Sequence, residues 1–379
     1  MKYLSSGNPL GVPEKVTWVR FHPSVTKVND KAFYRCSDLR EIVFNEGLVK
    51  IGQSAFAYCS SLERITLPST VTDIGLDAFG ECTNLKEALL NEGLVNIGNY
   101  SFYECSLLEC ITIPSTVTSI GNDAFYKCSS LKEVVLNEGL VKIGGFSFRG
   151  CESLQSITIP STVTDIGDDA FHFCSNLNEV VLNDGLEKIG HRSFSNCQAL
   201  ESITFPSSLV EVGCYVFNRC TNLREVVCIE GLPEVGRSAF DNCPKLERIT
   251  FPNISTRLDN IIRAGQVDVQ NKIQQYINNR GGIEWERGGS IYISPVEVTC
   301  RSRDEWGDLP SLVQEHFCRI VSWIKYYEMK EATTIFEMAL WKAKMIDQVE
   351  DDIYYARGRD ACRVEVPGPV KDAIMQYLL

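Results

Sequence analysis

Phenylalanines stand at positions 33, 56, 79, 102, 125, 148, 171, 194, 217 and 240, and every interval is 23 residues. Three residues after each comes a cysteine, from Cys36 to Cys243, and three further on a leucine, from Leu39 to Leu246. Ten copies without an insertion describe a unit whose length is set by geometry, which confines the chain to a stack of equal rungs. Two versions alternate. One carries a turn of the type LNEGLVKIG (136–144), the other of the type ITIPSTVTDIG (157–167), so the full period is 46.

Within a rung, Leu62, Ile65 and Leu67 end in a spacing of two, as in a strand. A Pro or Asn-Glu-Gly turn follows, then a short segment such as Val71 to Ile74 and a glycine. The Ala-Phe-x-x-Cys piece is expected to form one helical turn. Strands of successive rungs then pair at ~4.8 Å, and ten rungs make a rod roughly 48 Å long. The expected fold is α+β: a leucine-rich-repeat solenoid over 16–252, preceded by an extension at 1–15 and followed by a small, mostly helical C-terminal unit at 253–379.

An open solenoid end exposes apolar interior and strand edges, so the first part of the tail is expected to cap it, with partner binding by the tail as the alternative. Segments 255–264 and 267–279 read as helices, and Gly288–Gly289 between two short apolar runs signals a hairpin. Val313, Phe317, Ile320, Ile324 and Tyr327 recur at helical spacing, as do Ala332, Ile335, Phe336, Ala339, Leu340 and Ala343.

The pattern A-F-x-x-C-x-x-L-x-x-I-x-[LIF]-P-x-x-V-x-x-I-G resembles the BspA-type leucine-rich repeat over about 16–252. That resemblance implies a fold used for binding, in some members as surface adhesins, with no shared catalytic residues. Stretches 326–344 and 362–378 resemble the C-terminal segment of diatom proteins that carry these repeats, which implies no activity.

The ten repeat cysteines form one column. Equivalent Cα–Cβ bonds are parallel, so neighbouring Cβ atoms stay near ~4.8 Å rather than the ~3.8 Å of a disulfide. Small, buried, reduced thiols are the expected reading. A metal column lacks support: no Cys-x-x-Cys occurs, and the pairs His172/Cys174 and His316/Cys318 offer two ligands each where zinc takes four. No cofactor is expected.

The copies can be compared with one another. The residues after each leucine form alternating charges, such as Glu63 beside Lys86 and Arg64 beside Glu87, and read as a solvated scaffold face. Positions around the Ala-Phe turn vary. Tyr100, Tyr103, Tyr126, Phe146 and Phe173 are expected to form an outward patch with Arg149, and such aromatics beside arginine have the make-up of a protein interface. The bland alternative is drift at unconstrained positions.

The chain has 37 basic and 49 acidic residues, a net charge of -12, which argues against nucleic acid or anionic membrane as the main partner. No run reaches the ~18 apolar residues of a membrane span, and no signal-peptide core is visible in the first 25 residues. No phosphate loop or nucleophile elbow is present. The expectation is a non-catalytic, cytoplasmic protein-interaction scaffold with a protein partner. A secreted or cell-surface adhesin-like protein is the alternative, and an enzyme within 253–379 ranks third.

Overall fold

The computed structural model describes residues 15–228 and 233–246, together with the backbone of four further strands, Lys2–Ser5, Arg248–Thr250, Ile283–Trp285 and Ser290–Ile293. It is a parallel-strand solenoid. Each rung contributes a longer strand, a two-residue strand and a turn segment. The longer strands pair with an offset of 23, as in Cys110↔Glu133 and Ile111↔Val134, or Ser202↔Glu225 and Ile203↔Val226. The short strands form one sheet of ten, from Lys27–Val28 to Glu234–Val235. Alternation in the longer strands buries Ile111, Ile113, Ile157 and Ile159 and turns Thr112 and Thr158 outward.

The ten phenylalanines run through the core as a continuous stack. Successive ring centroids lie 5.2–5.7 Å apart with interplanar angles of 3–11°. The cysteine column lies beside it. Each thiol from Cys59 to Cys243 donates to the carbonyl of the phenylalanine one rung back, at 3.0–3.3 Å. The ten column thiols are buried and free. Burial pushes Cys82 up to about 12, well above an ordinary thiol.

The Ala-Phe-x-x-Cys piece does not close into a helical turn. Alternate amides leave the rung: Lys31, Phe33 and Arg35 donate to Gln53, Ala55 and Ala57 of the next rung at 2.7–2.8 Å, whereas Ala32, Tyr34 and Cys36 donate three residues back. A helical turn would direct all these amides along its own axis and leave the neighbouring rung's carbonyls without donors. The alternation requires left-handed backbone at the second residue before and after each phenylalanine. There φ is +49° to +64° at nineteen non-glycine residues, and Gly150 takes the twentieth place at +75°.

The two turn types interlock. The Asn91 side chain donates to the carbonyls of Pro68 and Val71, Thr116 donates back to Leu94 at 2.6 Å, and Ser115 donates from its hydroxyl and amide to Glu92 at 2.9 and 3.1 Å. Similar bonds recur around Glu138, Ser161 and Thr162, with Asn137 donating to the carbonyl of Ile113, which gives the 46-residue period a hydrogen-bonding cause.

Both ends of the longer-strand stack carry added strands. Lys2–Ser5, within the residues read as an extension, pairs in parallel with Trp18–Phe21. Ile283–Trp285 and Ser290–Ile293 form the expected hairpin, and its second strand pairs antiparallel with Arg248–Thr250. The helices expected at 255–264, 267–279 and beyond 313 lie outside the described residues, as does the unit 326–379.

Candidate functional site

The positions flanking each buried core phenylalanine are where the rod varies. In this backbone the phenylalanine and the residue before it are buried, while Tyr100, Tyr103, Tyr126, Phe146, Arg149 and Phe173 keep some surface exposure. The 23-residue period places Tyr103, Tyr126, Arg149 and His172 in one column and Tyr100, Asp123, Phe146 and Asp169 in another.

The six residues singled out in the sequence lie together across four successive rungs. Tyr100 and Tyr103 pack with centroids 5.7 Å apart, and Tyr103 stacks on Tyr126 at 4.9 Å with rings 3° from parallel. The Arg149 guanidinium carbon lies 6.0 Å from the Tyr126 centroid, 5.5 Å from Phe146 and 5.9 Å from Phe173. Tyr100 and Phe173, at the two ends, are 41% and 43% exposed. Stacked rings of this kind add about 0.5–1.5 kcal/mol per pair beyond area burial, so the patch is ordered before any partner arrives.

Charge is tied into the same patch. Lys127 pairs with Glu104 at 3.1 Å and lies over Tyr126. The Asp123 carboxylate holds the Tyr100 phenol above its ordinary range, with burial adding to the effect. Burial, then the Glu104 charge, pushes Tyr103 up to about 12. Burial also raises Asp123, against the lowering effects of its hydrogen bond with Tyr100 and of Arg149.

Beneath Arg149 and Phe173 lies a polar network that the spacing of the repeat does not announce. His172 Nδ1 is 2.6 Å from Asp169 Oδ1, and its Nε2 is 3.1 Å from the Asn196 amide nitrogen. The His172 ring stacks on Phe173 at 4.2 Å. The two contacts hold the ring on both sides, with Nδ1 facing the Asp169 carboxylate as a donor. A second cluster, also missed, sits on the first two rungs, where Tyr34 and Tyr58 meet at 5.5 Å under Arg35. Comparing the column two residues after each phenylalanine, which holds Arg35, Tyr58 and Phe173, would have found it.

The longer-strand face carries the expected charge ladder: Arg64–Glu87 at 2.7 Å, Lys86–Glu63 at 3.9 Å and Lys132–Glu109 at 3.2 Å. These are exposed pairs of small energetic value, consistent with a scaffold role. Among the described residues no group of three or more His, Cys, Asp or Glu side chains is placed to hold a metal ion, and no helix is long and apolar enough to cross a membrane.

The family model for the BspA type leucine rich repeat region matches residues 13–132, 95–212 and 141–264, with six copies. A leucine-rich repeat protein from Bacteroides ovatus is 32% identical, with 62% of this chain and 63% of that chain covered and a TM-score of 0.57. The pneumococcal vaccine antigen PcpA is 28% identical, with 62% of each chain covered and a TM-score of 0.46. The match thus spans less than two thirds of either protein's length. No curated protein matches the chain.

Proposed function

The chain belongs to the BspA-type leucine-rich repeat family, and from that premise we propose that it is a non-catalytic scaffold that binds a protein partner through the aromatic and cationic face. The observation that carries this reading is the continuous packing of Tyr100, Tyr103, Tyr126, Phe146, Arg149 and Phe173 across consecutive rungs. Tyrosine and arginine dominate interface hot spots because they bury much area with few rotatable bonds. The side chains leave the rod from a backbone hydrogen-bonded rung to rung, so little ordering entropy remains to be lost on binding.

A cytoplasmic location belongs to the same proposal. It is supported by the thiol chemistry: Cys110 is exposed and Cys214 half-buried, both unpaired, which suits a reducing compartment. Fractionation of cells with an antibody to the chain tests this, and recovery in the medium or on intact cell surfaces would favour the adhesin-like alternative instead.

The binding reading is tested by co-purification from native extract with the wild-type chain and with a Tyr103→Ser, Tyr126→Ser, Phe146→Ser variant. Partner recovery is expected to fall at least tenfold while the melting temperature stays within a few degrees. Unchanged recovery from the folded variant overturns the reading.

A further inference from the structure

Arg149 differs from the other cations of the rod in how it is held. Its guanidinium lies against the rings of Tyr126 from the rung below, Phe146 of its own rung and Phe173 from the rung above, at 6.0, 5.5 and 5.9 Å. Among the described residues none of its five N–H donors makes a hydrogen bond. Among the described residues its one ion-pair partner is Asp169, with Nη1 to Oδ1 at 3.7 Å, longer than a hydrogen bond. The Arg149 side chain remains 29% exposed.

The neighbouring charges are already engaged. Asp169 is held by His172, Asp123 by Tyr100, and Lys127 by Glu104. Among the described residues, Asp169 and His172 are also the only charged or ionisable side chains other than cysteine that are buried. Burying such a pair costs desolvation and does nothing for rung stacking, which the other described rungs achieve without a fully buried charge at these positions. Its position explains it: Asp169 abuts Arg149, and His172 backs Phe173, so the pair fixes two walls of the guanidinium's seat.

Building on the proposed binding face, we infer that Arg149 is its anion-accepting anchor and receives a carboxylate from an acidic segment of the partner polypeptide. A planar fork packed among three rings, with its N–H donors unused, suits a carboxylate bidentately and loses little freedom on binding. Asp123 and Asp169 stand near the cation and repel any incoming anion, less strongly for a singly charged carboxylate than for a phosphate dianion, which favours the carboxylate. Exposed Phe173 and Tyr100 then take apolar side chains flanking the acidic residue. Across four rungs the patch runs for about 15 Å, the reach of an extended peptide rather than of a small acid.

Fluorescence anisotropy with the full chain tests this. The probes are three labelled decapeptide pools of Leu, Ser and Gly around a central Glu-x-Glu, Gln-x-Gln or phosphoserine-x-phosphoserine. The Glu pool is expected to bind at least tenfold more tightly than the Gln pool. That preference should fall below twofold in Arg149→Met, which keeps an apolar stem between the rings. It should survive only in part in Arg149→Lys, which keeps the charge but not the fork. Equal binding of the Glu and Gln pools, a Glu preference intact in Arg149→Met, or a tenfold preference for phosphoserine each overturns the assignment. Loss of all pools in Tyr103→Ser, Tyr126→Ser without any Glu preference in the wild type keeps the face and removes the anchor. Binding unaffected by either set of variants removes both.

Discussion

The thiol of Cys128 donates to the carbonyl oxygen of Phe102, 3.3 Å away on the preceding rung, and the same oxygen accepts the amide of Cys105 at 3.2 Å. One carbonyl thus serves two rungs, and cysteine supplies a donor small enough to fit beside the stacked phenylalanines. Burial raises the thiol, and only the thiolate is an effective nucleophile. Residue-resolved alkylation of the native protein is therefore expected to modify exposed Cys110 within minutes and to leave Cys82, Cys105 and Cys128 untouched until unfolding. Comparable rates at Cys128 and Cys110 would contradict the arrangement.

Glycine follows nine of the ten short strands, from Gly52 to Gly236, because the rungs leave no room there for a side chain. A Cβ on Gly121 would stand 2.5 Å from the amide nitrogen of Asn99 and 2.6 Å from the carbonyl carbon of Gly98. These are backbone atoms within a hydrogen-bonded stack and cannot yield cheaply. Gly121→Ala is expected to destabilise the protein by about 1–3 kcal/mol, the usual cost of overpacking. Denaturant unfolding measures it, and a variant as stable as wild type would show that the rungs separate more easily than their spacing indicates.

Most rungs place alanine immediately before the core phenylalanine, but Ser101 and Ser147 are fully buried there with hydroxyl oxygens that find no partner. At the equivalent position Ser193 donates to Gly190. Ser101→Ala and Ser147→Ala should each stabilise by about 1 kcal/mol, the typical penalty of an unsatisfied buried hydroxyl, while Ser193→Ala should not. Thermal melts of the three variants decide the point.

Asp123 provides a pH signature. Its carboxyl titrates above the ordinary range in the folded chain, chiefly because of burial, so the folded state takes up the proton before the unfolded state does. As pH falls through the raised folded value toward the unfolded value, this residue's contribution becomes stabilising, and above that window its burial cost is present in full. The stability difference between wild type and Asp123→Asn should therefore shift in favour of wild type on acidification. A pH-independent difference would show that Tyr100 and Arg149 offset the burial.

What could be read from the sequence followed from what each residue's role depended on. Phe, Cys, Leu and Gly recur because each meets its own copy one rung away, so spacing alone exposes the stack, the thiol column and the close approach. The hairpin at 283–293 was visible in its glycines, whereas its docking on Arg248–Thr250 depends on an edge created only by the completed stack. The Ala-Phe turn was misjudged because local propensity favours a helical turn and the deciding hydrogen bonds run to residues 22 positions on. Tyr103, Tyr126 and Arg149 stood out as departures within a column. Asp169, His172 and Asn196 did not, because they come from three different columns and meet only in space.

The interlocking turns also bear on how such a chain can change length. Deleting or duplicating one rung would bring two like turns together, either a Glu92-type carboxylate against another or a Ser115-type donor left without its carboxylate. Deleting or duplicating two leaves every junction as it was. Copy number in this rod is therefore inherited in pairs: a slip of 46 codons is silent at the joint, and a slip of 23 leaves a scar.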